Sequence, residues 1–189
     1  MTKSVLLVGV GGQGTILAGK VLCAGLLASG YDVKMSEIHG MSQRGGAVST
    51  HVRYSKSGVY SPVIEKGGAD IIVAFEKLEA ARWLTYLKPG GMVLVNDKTI
   101  LPSVVLSGAM EYPENVLEEL VAQVNTKTID AYKMATELGN ARGENLLMLG
   151  AAAKMLGLDD INWDETIKAS VKPQFVEANQ KVFKAGFEQ

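Results

Sequence analysis

Ten consecutive residues, Glu37-Ile38-His39-Gly40-Met41-Ser42-Gln43-Arg44-Gly45-Gly46, combine a carboxylate, an imidazole, an amide and a guanidinium with three glycines. A carboxylate beside an imidazole can move a proton near neutral pH, and a guanidinium grips carboxylate or phosphate through two parallel bonds. A second cluster, Gly9-Val10-Gly11-Gly12-Gln13-Gly14, holds Gly9, Gly11, Gly12 and Gly14. Glycines at that spacing allow a tight turn and close backbone approach to an anion at a helix N-terminus. A third group, Glu76, Glu79 and Arg82, follows the apolar run Ile71 to Ala74. Glu79 and Arg82 stand three apart, the spacing of a surface helical pair, whereas Glu76 falls just beyond a strand end, where α/β sheets place functional groups.

These groups need elements to hold them. Ser4 to Val10 is an apolar, β-branched run that predicts a strand buried on both faces. Apolar residues recur at helical spacing from Thr15 to Ser29, and Gly30 follows as a C-cap. Tyr31 to Ile38 predicts a second strand. This is the opening of a doubly wound, Rossmann-like α/β fold. The pattern then changes: Val48 to Tyr54 alternates, Ser55 to Gly58 turns, and Val59 to Ile64 extends again. That reads as an inserted β-hairpin giving a mixed sheet, with Pro62 placing its second strand at an edge or ending it early. The α/β alternation returns with a strand at 71–74, a helix over Leu78 to Leu87, a turn at Leu87-Lys88-Pro89-Gly90-Gly91 and a strand over Met92 to Asn96. Pro113 suits the first position of a short helix, and Thr126 to Ala131 predicts a last strand. From Tyr132 the chain reads as helical, and Asn145 to Leu156 is apolar nearly all round, as in a deeply buried helix. The expected architecture is a three-layer sandwich in a single domain over 1–189, with a core over 1–131 and a helical C-terminal part over 132–189.

Composition narrows the function. The net charge is −1 across 189 residues and the basic residues are scattered, so no field attracts nucleic acid. The run Val5 to Val10 is too short for a membrane span, and a cytoplasmic protein is expected. One cysteine, Cys23, can hold neither a disulfide within the chain nor an iron–sulfur cluster, and its neighbours Val21, Leu22 and Leu26 predict a buried thiol. With two histidines in the chain, the set Glu37, His39 and His51 is the one metal triad to weigh. The alternation of the hairpin argues against it, and no metal site is expected. There is no G-x-x-x-x-G-K-[ST], G-x-S-x-G or H-E-x-x-H motif. A nicotinamide site would want an acid ending the second strand: Asp32 comes too early and Glu37 stands within the polar loop. A methyltransferase would carry an acid before its first glycine loop, which is missing. The residues therefore predict a Rossmann-like domain with a polar loop at the ligand edge and no self-sufficient catalytic set, a combination that favours a subunit.

The motifs Gly9 to Gly14, Glu37 to Gly46 and Ser49-Thr50-His51-Val52-Arg53 closely resemble the gamma-type domain of 2-oxoacid:ferredoxin oxidoreductases. Ser61-Pro62, Gly68-Ala69-Asp70, Phe75-Glu76 and Glu79-Ala80 agree, and the resemblance covers nearly the whole chain. Within that family it looks most like the small beta subunits of the indolepyruvate, or aryl-pyruvate, enzymes. The resemblance implies CoA-dependent oxidative decarboxylation of a 2-oxoacid, with ferredoxin as electron acceptor. It further implies that thiamine diphosphate and iron–sulfur clusters belong to a large alpha subunit, leaving this chain without a cofactor of its own in a hetero-oligomer. On this footing Gly9, Gly11, Gly12, Gly14 and Arg44 are candidates for contact with coenzyme A or phosphate, or only shape the subunit interface. Glu37, His39, Gln43 and Arg44 are candidates for a docking loop that supports another subunit's active site. Two alternatives stand beside this reading: a gamma subunit of a pyruvate or 2-oxoglutarate enzyme, and a stand-alone NAD(P)-dependent oxidoreductase or methyltransferase.

Overall fold

The structure is a computed structural model and describes residues 1–39 and 45–189. Its centre is a six-stranded sheet in the order β2-β3-β1-β4-β5-β6. The strands are β1 (Lys3–Val10), β2 (Asp32–His39), β3 (Ala47–Ser55), β4 (Ala69–Ala74), β5 (Leu87–Asn96) and β6 (Asn125–Ile129). β1, β4, β5 and β6 run parallel, and β3 lies antiparallel between β1 and β2. The period-2 alternation of the strands assigns their side chains to two cores. Val5, Leu7, Ile71, Val73 and Leu94 face one layer of helices, with α1 (Thr15–Ala28) and α6 (Glu144–Met155) against them. Leu6, Val8, Ile72, Ala74, Val93 and Val95 face the other, built on α2 (Lys77–Trp83) and α4 (Val116–Gln123). Each Leu, Ile or Val side chain taken fully out of water contributes about 1.5–3 kcal/mol, so these two faces set the register of every strand.

The mixed sheet is present, but its hairpin differs from the expected one. β3 pairs with β2 before it, with Glu37 opposite Thr50 and His39 opposite Val48. Val59 to Ile64 forms no strand. Its backbone groups are claimed by side chains: the Val59 N–H donates to Asp32 (2.7 Å) and the Ile64 N–H to His51 Nδ1 (3.1 Å). The Ser61 carbonyl accepts from Arg53 (3.1 Å), and Pro62 has no N–H to give a ladder.

Three other boundaries move for local reasons. The expected turn at Leu87 to Gly91 lies inside β5: the register passes from Ala69–Leu87 to Ile71–Met92, and the intervening residues bulge, with Lys88 ion-paired to Asp70. The helix before it stops at Trp83 and closes in a tight turn over Leu84–Tyr86. Pro113 does not open a helix. Asn115 takes a left-handed conformation (φ 57°), which asparagine tolerates, and α4 starts after it.

After β6 the chain is helical, through α5 (Ala131–Glu137), α6, α7 (Trp163–Ser170) and α8 (Val176–Phe187), with a four-residue turn α3 (Ser103–Leu106) earlier in the chain. α6 has ten of its residues buried, in keeping with its all-round apolar sequence. α6 and α8 pack at backbone distance: a Cβ on Gly150 would collide with the Phe183 carbonyl, and one on Gly186 with the Leu147 carbonyl. Among the described residues no helix is long and apolar enough to cross a membrane.

Candidate functional site

The glycine loop leaves β1 at the C-terminal edge of the sheet. Gly12 (φ 106°) and Gly14 (φ 80°) take conformations that L-residues rarely adopt, and Gly14 is the N-cap of α1. Among the described residues no side chain caps this helix, and its first turn carries no acid, so the positive end of the helix dipole lies at the glycine loop. The loop is fastened from below by Gln13, which the sequence did not single out. Gln13 is buried; its Oε1 accepts from the Val10 N–H (2.8 Å) and its Nε2 donates to the Phe75 carbonyl (2.6 Å). Asn96 donates to the same carbonyl (3.3 Å) and accepts from the Ala131 N–H (3.0 Å), so the ends of β1, β4 and β5 and the start of α5 form one network. Gly9 belongs to this support: a Cβ there would press on Gln13 and Phe75.

The loop then opens onto a cleft of about 300 Å³ lined by Gly11, Gly12, Gly14, Thr15, Ile16, Glu37, Ile38, His39, Val48, Ser49 and Thr50. Five of the residues singled out in the sequence, Gly11, Gly12, Gly14, Glu37 and His39, therefore meet at one place. Gln43 and Arg44 lie outside the described residues. Gly46 and Gly45, which follow them, are joined to the glycine loop: the Gly11 N–H donates to the Gly46 carbonyl (2.8 Å) and the Gly45 N–H to the Gly11 carbonyl (3.4 Å). Thr15, Ser49 and Thr50 were missed. Thr50 was within reach of sequence reasoning, since an antiparallel return from Glu37 brings the Ser49-Thr50 pair back beside the loop.

Among the described residues, the cleft's neighbours do not supply a nucleophile–base pair. Ser49 Oγ lies 3.4 Å from His51 Nε2, the nearest arrangement to one. His51 Nδ1 accepts the Ile64 N–H, so the neutral ring carries its proton on Nε2 and cannot take one from Ser49. Burial pushes the His51 pKa down and keeps the ring neutral, wedged against Trp83 and Tyr86. The triad weighed above cannot form either. Glu37 and Thr50 share one face of the sheet, while His51, opposite Ser36, points to the other. Among the described residues no group of three or more His, Cys, Asp or Glu is placed to hold a metal ion. Cys23 is partly buried against the core and burial pushes its thiol up to about 12, far from a reactive thiolate.

The acids after β4 hold structure. Glu76 is buried and caps α2 by accepting the Glu79 N–H (2.9 Å). Glu79 is not the surface partner its spacing suggested: its carboxylate is buried, accepting from Arg82 (2.8 Å) and the Trp83 indole (3.3 Å), and burial raises its pKa. A larger hollow, about 740 Å³, lies at the far end of α1, between α1 and α7. Two of its polar side chains hold structure: Lys56 donates to the Ser29 carbonyl (2.6 Å) and covers the Tyr31 ring, and Asn162 caps α7. The smaller cleft at the glycine loop is the candidate site, since it sits beyond the C-terminal end of β1, the edge at which such sheets bind ligands.

Comparison with known proteins decides the family. The pyruvate ferredoxin/flavodoxin oxidoreductase family matches residues 4–189. The chain belongs to this family of oxidoreductases. It is 38% identical to the indolepyruvate oxidoreductase subunit IorB of Pyrococcus horikoshii, over 97% of this chain and 93% of that one. Among solved structures it resembles the gamma subunit of a keto/oxoacid ferredoxin oxidoreductase from Geobacter sulfurreducens, with TM-score 0.72, 25% identity and 98% and 96% of the two chains covered. The same fold occurs in the 2-oxoglutarate:ferredoxin oxidoreductase of Magnetococcus marinus, with TM-score 0.75 and 19% identity. There 99% of this chain matches 30% of a much longer one. The family resemblance read from Gly9 to Gly14 and Glu37 to Gly46 is thus met by the whole chain, and the mixed sheet is that of the gamma subunits.

Proposed function

We propose that this chain is the small, beta subunit of an indolepyruvate, or aryl-pyruvate, ferredoxin oxidoreductase that acts in the cytoplasm. The observation that carries this reading is the 38% identity to IorB across nearly the full length of both chains. The cleft supports it: backbone donors, hydroxyls and one carboxylate surround a space that holds no catalytic pair among the described residues. The redox and decarboxylation chemistry belongs to thiamine diphosphate and iron–sulfur clusters, and one cysteine cannot furnish a cluster's ligands. Those groups are assigned to the large alpha subunit, which passes electrons to ferredoxin in a hetero-oligomer.

For this chain the proposal gives two roles. The cleft at Gly11, Gly12 and Gly14 contacts a phosphate of the co-substrate coenzyme A, and Arg44 joins them in that contact. Glu37, His39, Gln43 and Arg44 form the docking loop that supports the large subunit's active site. The test is co-expression with the large subunit, followed by assay of indolepyruvate, phenylpyruvate, pyruvate and 2-oxoglutarate with coenzyme A and a viologen dye. The expected result is preference for the aryl-pyruvates. In the same complex Arg44→Ala is expected to raise the KM for coenzyme A about tenfold, the loss of one charge-assisted contact. An unchanged KM would remove Arg44 from the coenzyme A site.

A further inference from the structure

Between Thr99 and Glu111 the chain runs Ile100-Leu101-Pro102-Ser103-Val104-Val105-Leu106-Ser107-Gly108-Ala109-Met110, without a single charge. Such a stretch belongs in a core, yet Leu101 (43%), Val104 (45%), Leu106 (71%) and Met110 (64%) are exposed. The segment is ordered by its own backbone. The N–H groups of Leu106, Ser107, Ala109 and Met110 all bond to carbonyls within it (2.9–3.1 Å for the Ser107 and Met110 bonds). Its base is closed by one atom: Glu76 Oε1 accepts both the Ile100 N–H (3.4 Å) and the Tyr112 hydroxyl (2.7 Å). The result is a closed loop that presents apolar side chains on a preformed backbone, an arrangement that lowers the entropy cost of binding.

We propose that residues 100–112 are a docking arm for the large subunit, an inference that rests on the function proposed above. Three observations favour that occupant. The arm connects to the candidate site: Lys98 at its base covers the Tyr132 ring, and Tyr132 shares a hollow with Gly12, Gln13 and Gly14. The Magnetococcus chain devotes 30% of its length to this fold, so there the remaining polypeptide shares one chain with it. Finally, Glu111, Glu114, Glu118 and Glu119 are exposed beside the arm. A second copy docking on the same patch would bring these carboxylates together, whereas a different partner can meet them with lysine or arginine around an apolar ridge.

The arm is tested in the co-expressed complex by combining Leu106→Asp with Met110→Asp, beside Leu27→Asp at the far end of α1 as a control on another exposed apolar residue (56%). The double variant is expected to weaken association at least about tenfold, while the control associates like the wild type. Amide hydrogen exchange of the wild-type chain, alone and in the complex, supplies a readout that no substitution can disturb. Residues 100–112 are expected to gain protection on assembly. Assembly with unchanged exchange in this segment would overturn the arm and leave the proposed function intact. Failure of the wild-type chain to join the large subunit would overturn both, and self-association broken by Leu106→Asp would assign the arm to a second copy instead.

Discussion

Gln13 shows how much of the site rests on residues without chemistry of their own. Its amide spans the Val10 N–H and the Phe75 carbonyl inside the sheet edge, so Gln13→Ala removes the side-chain acceptor of the Val10 N–H while Asn96 still donates to the Phe75 carbonyl. A buried group left without its partner costs about 1–3 kcal/mol. The expected loss is of that size in urea unfolding, well above that of an exposed substitution such as Gln123→Ala. His51 carries a prediction with a sign. Burial lowers its pKa below the ordinary 6.5, so the unfolded chain binds a proton before the folded one as pH falls. Its contribution to stability is complete above about pH 6.5 and is lost as pH falls toward and through the depressed folded value. Wild-type stability should therefore decline from pH 7 to 5 more steeply than that of His51→Gln, measured by thermal unfolding across that range. Equal slopes would show that His51 is not the titrating group.

At the scale of elements, legibility followed how local the deciding interaction was. β1 and α1 were plain because a buried run and a helical period are written in adjacent residues. The strand order was not, since β3 enters between β1 and β2 through pairing with distant β1 residues, from Val10 with Ala47 to Lys3 with Tyr54. Val59 to Ile64 looked like a strand and is not one: Asp32, His51 and Arg53 take its backbone groups, a contest that sequence periodicity does not register. Glu79 read as a surface partner because a spacing of three says nothing about which face is buried. Gly150 of α6 and Gly186 of α8 each admit a carbonyl of the facing helix, a contact that the spacing of residues within one helix does not reveal. Gly186→Val should cost about 1–3 kcal/mol or more through overpacking, seen as a lowered Tm with α6 and α8 losing amide protection first. A Tm within a degree of wild type would show that the helices can separate without penalty.

For the whole molecule, the site was legible as a place more than as a mechanism. Glu37, His39 and the glycines do converge, because both glycine loop and second strand end at the same edge of a parallel arrangement. The catalytic look of Glu37 and His39 came from residue type alone. What the fold builds around them is a cleft at the glycine loop and, farther along the chain, an exposed apolar segment, and the proposed function reads both as surfaces for a partner that completes the reaction. The most direct test is a three-way assay of coenzyme A-dependent viologen reduction with indolepyruvate: this chain alone, the large subunit alone, and the co-expressed pair. The account predicts no turnover by this chain alone and full turnover only by the pair. Turnover by this chain alone, or by the large subunit at the same rate with and without it, would contradict the account.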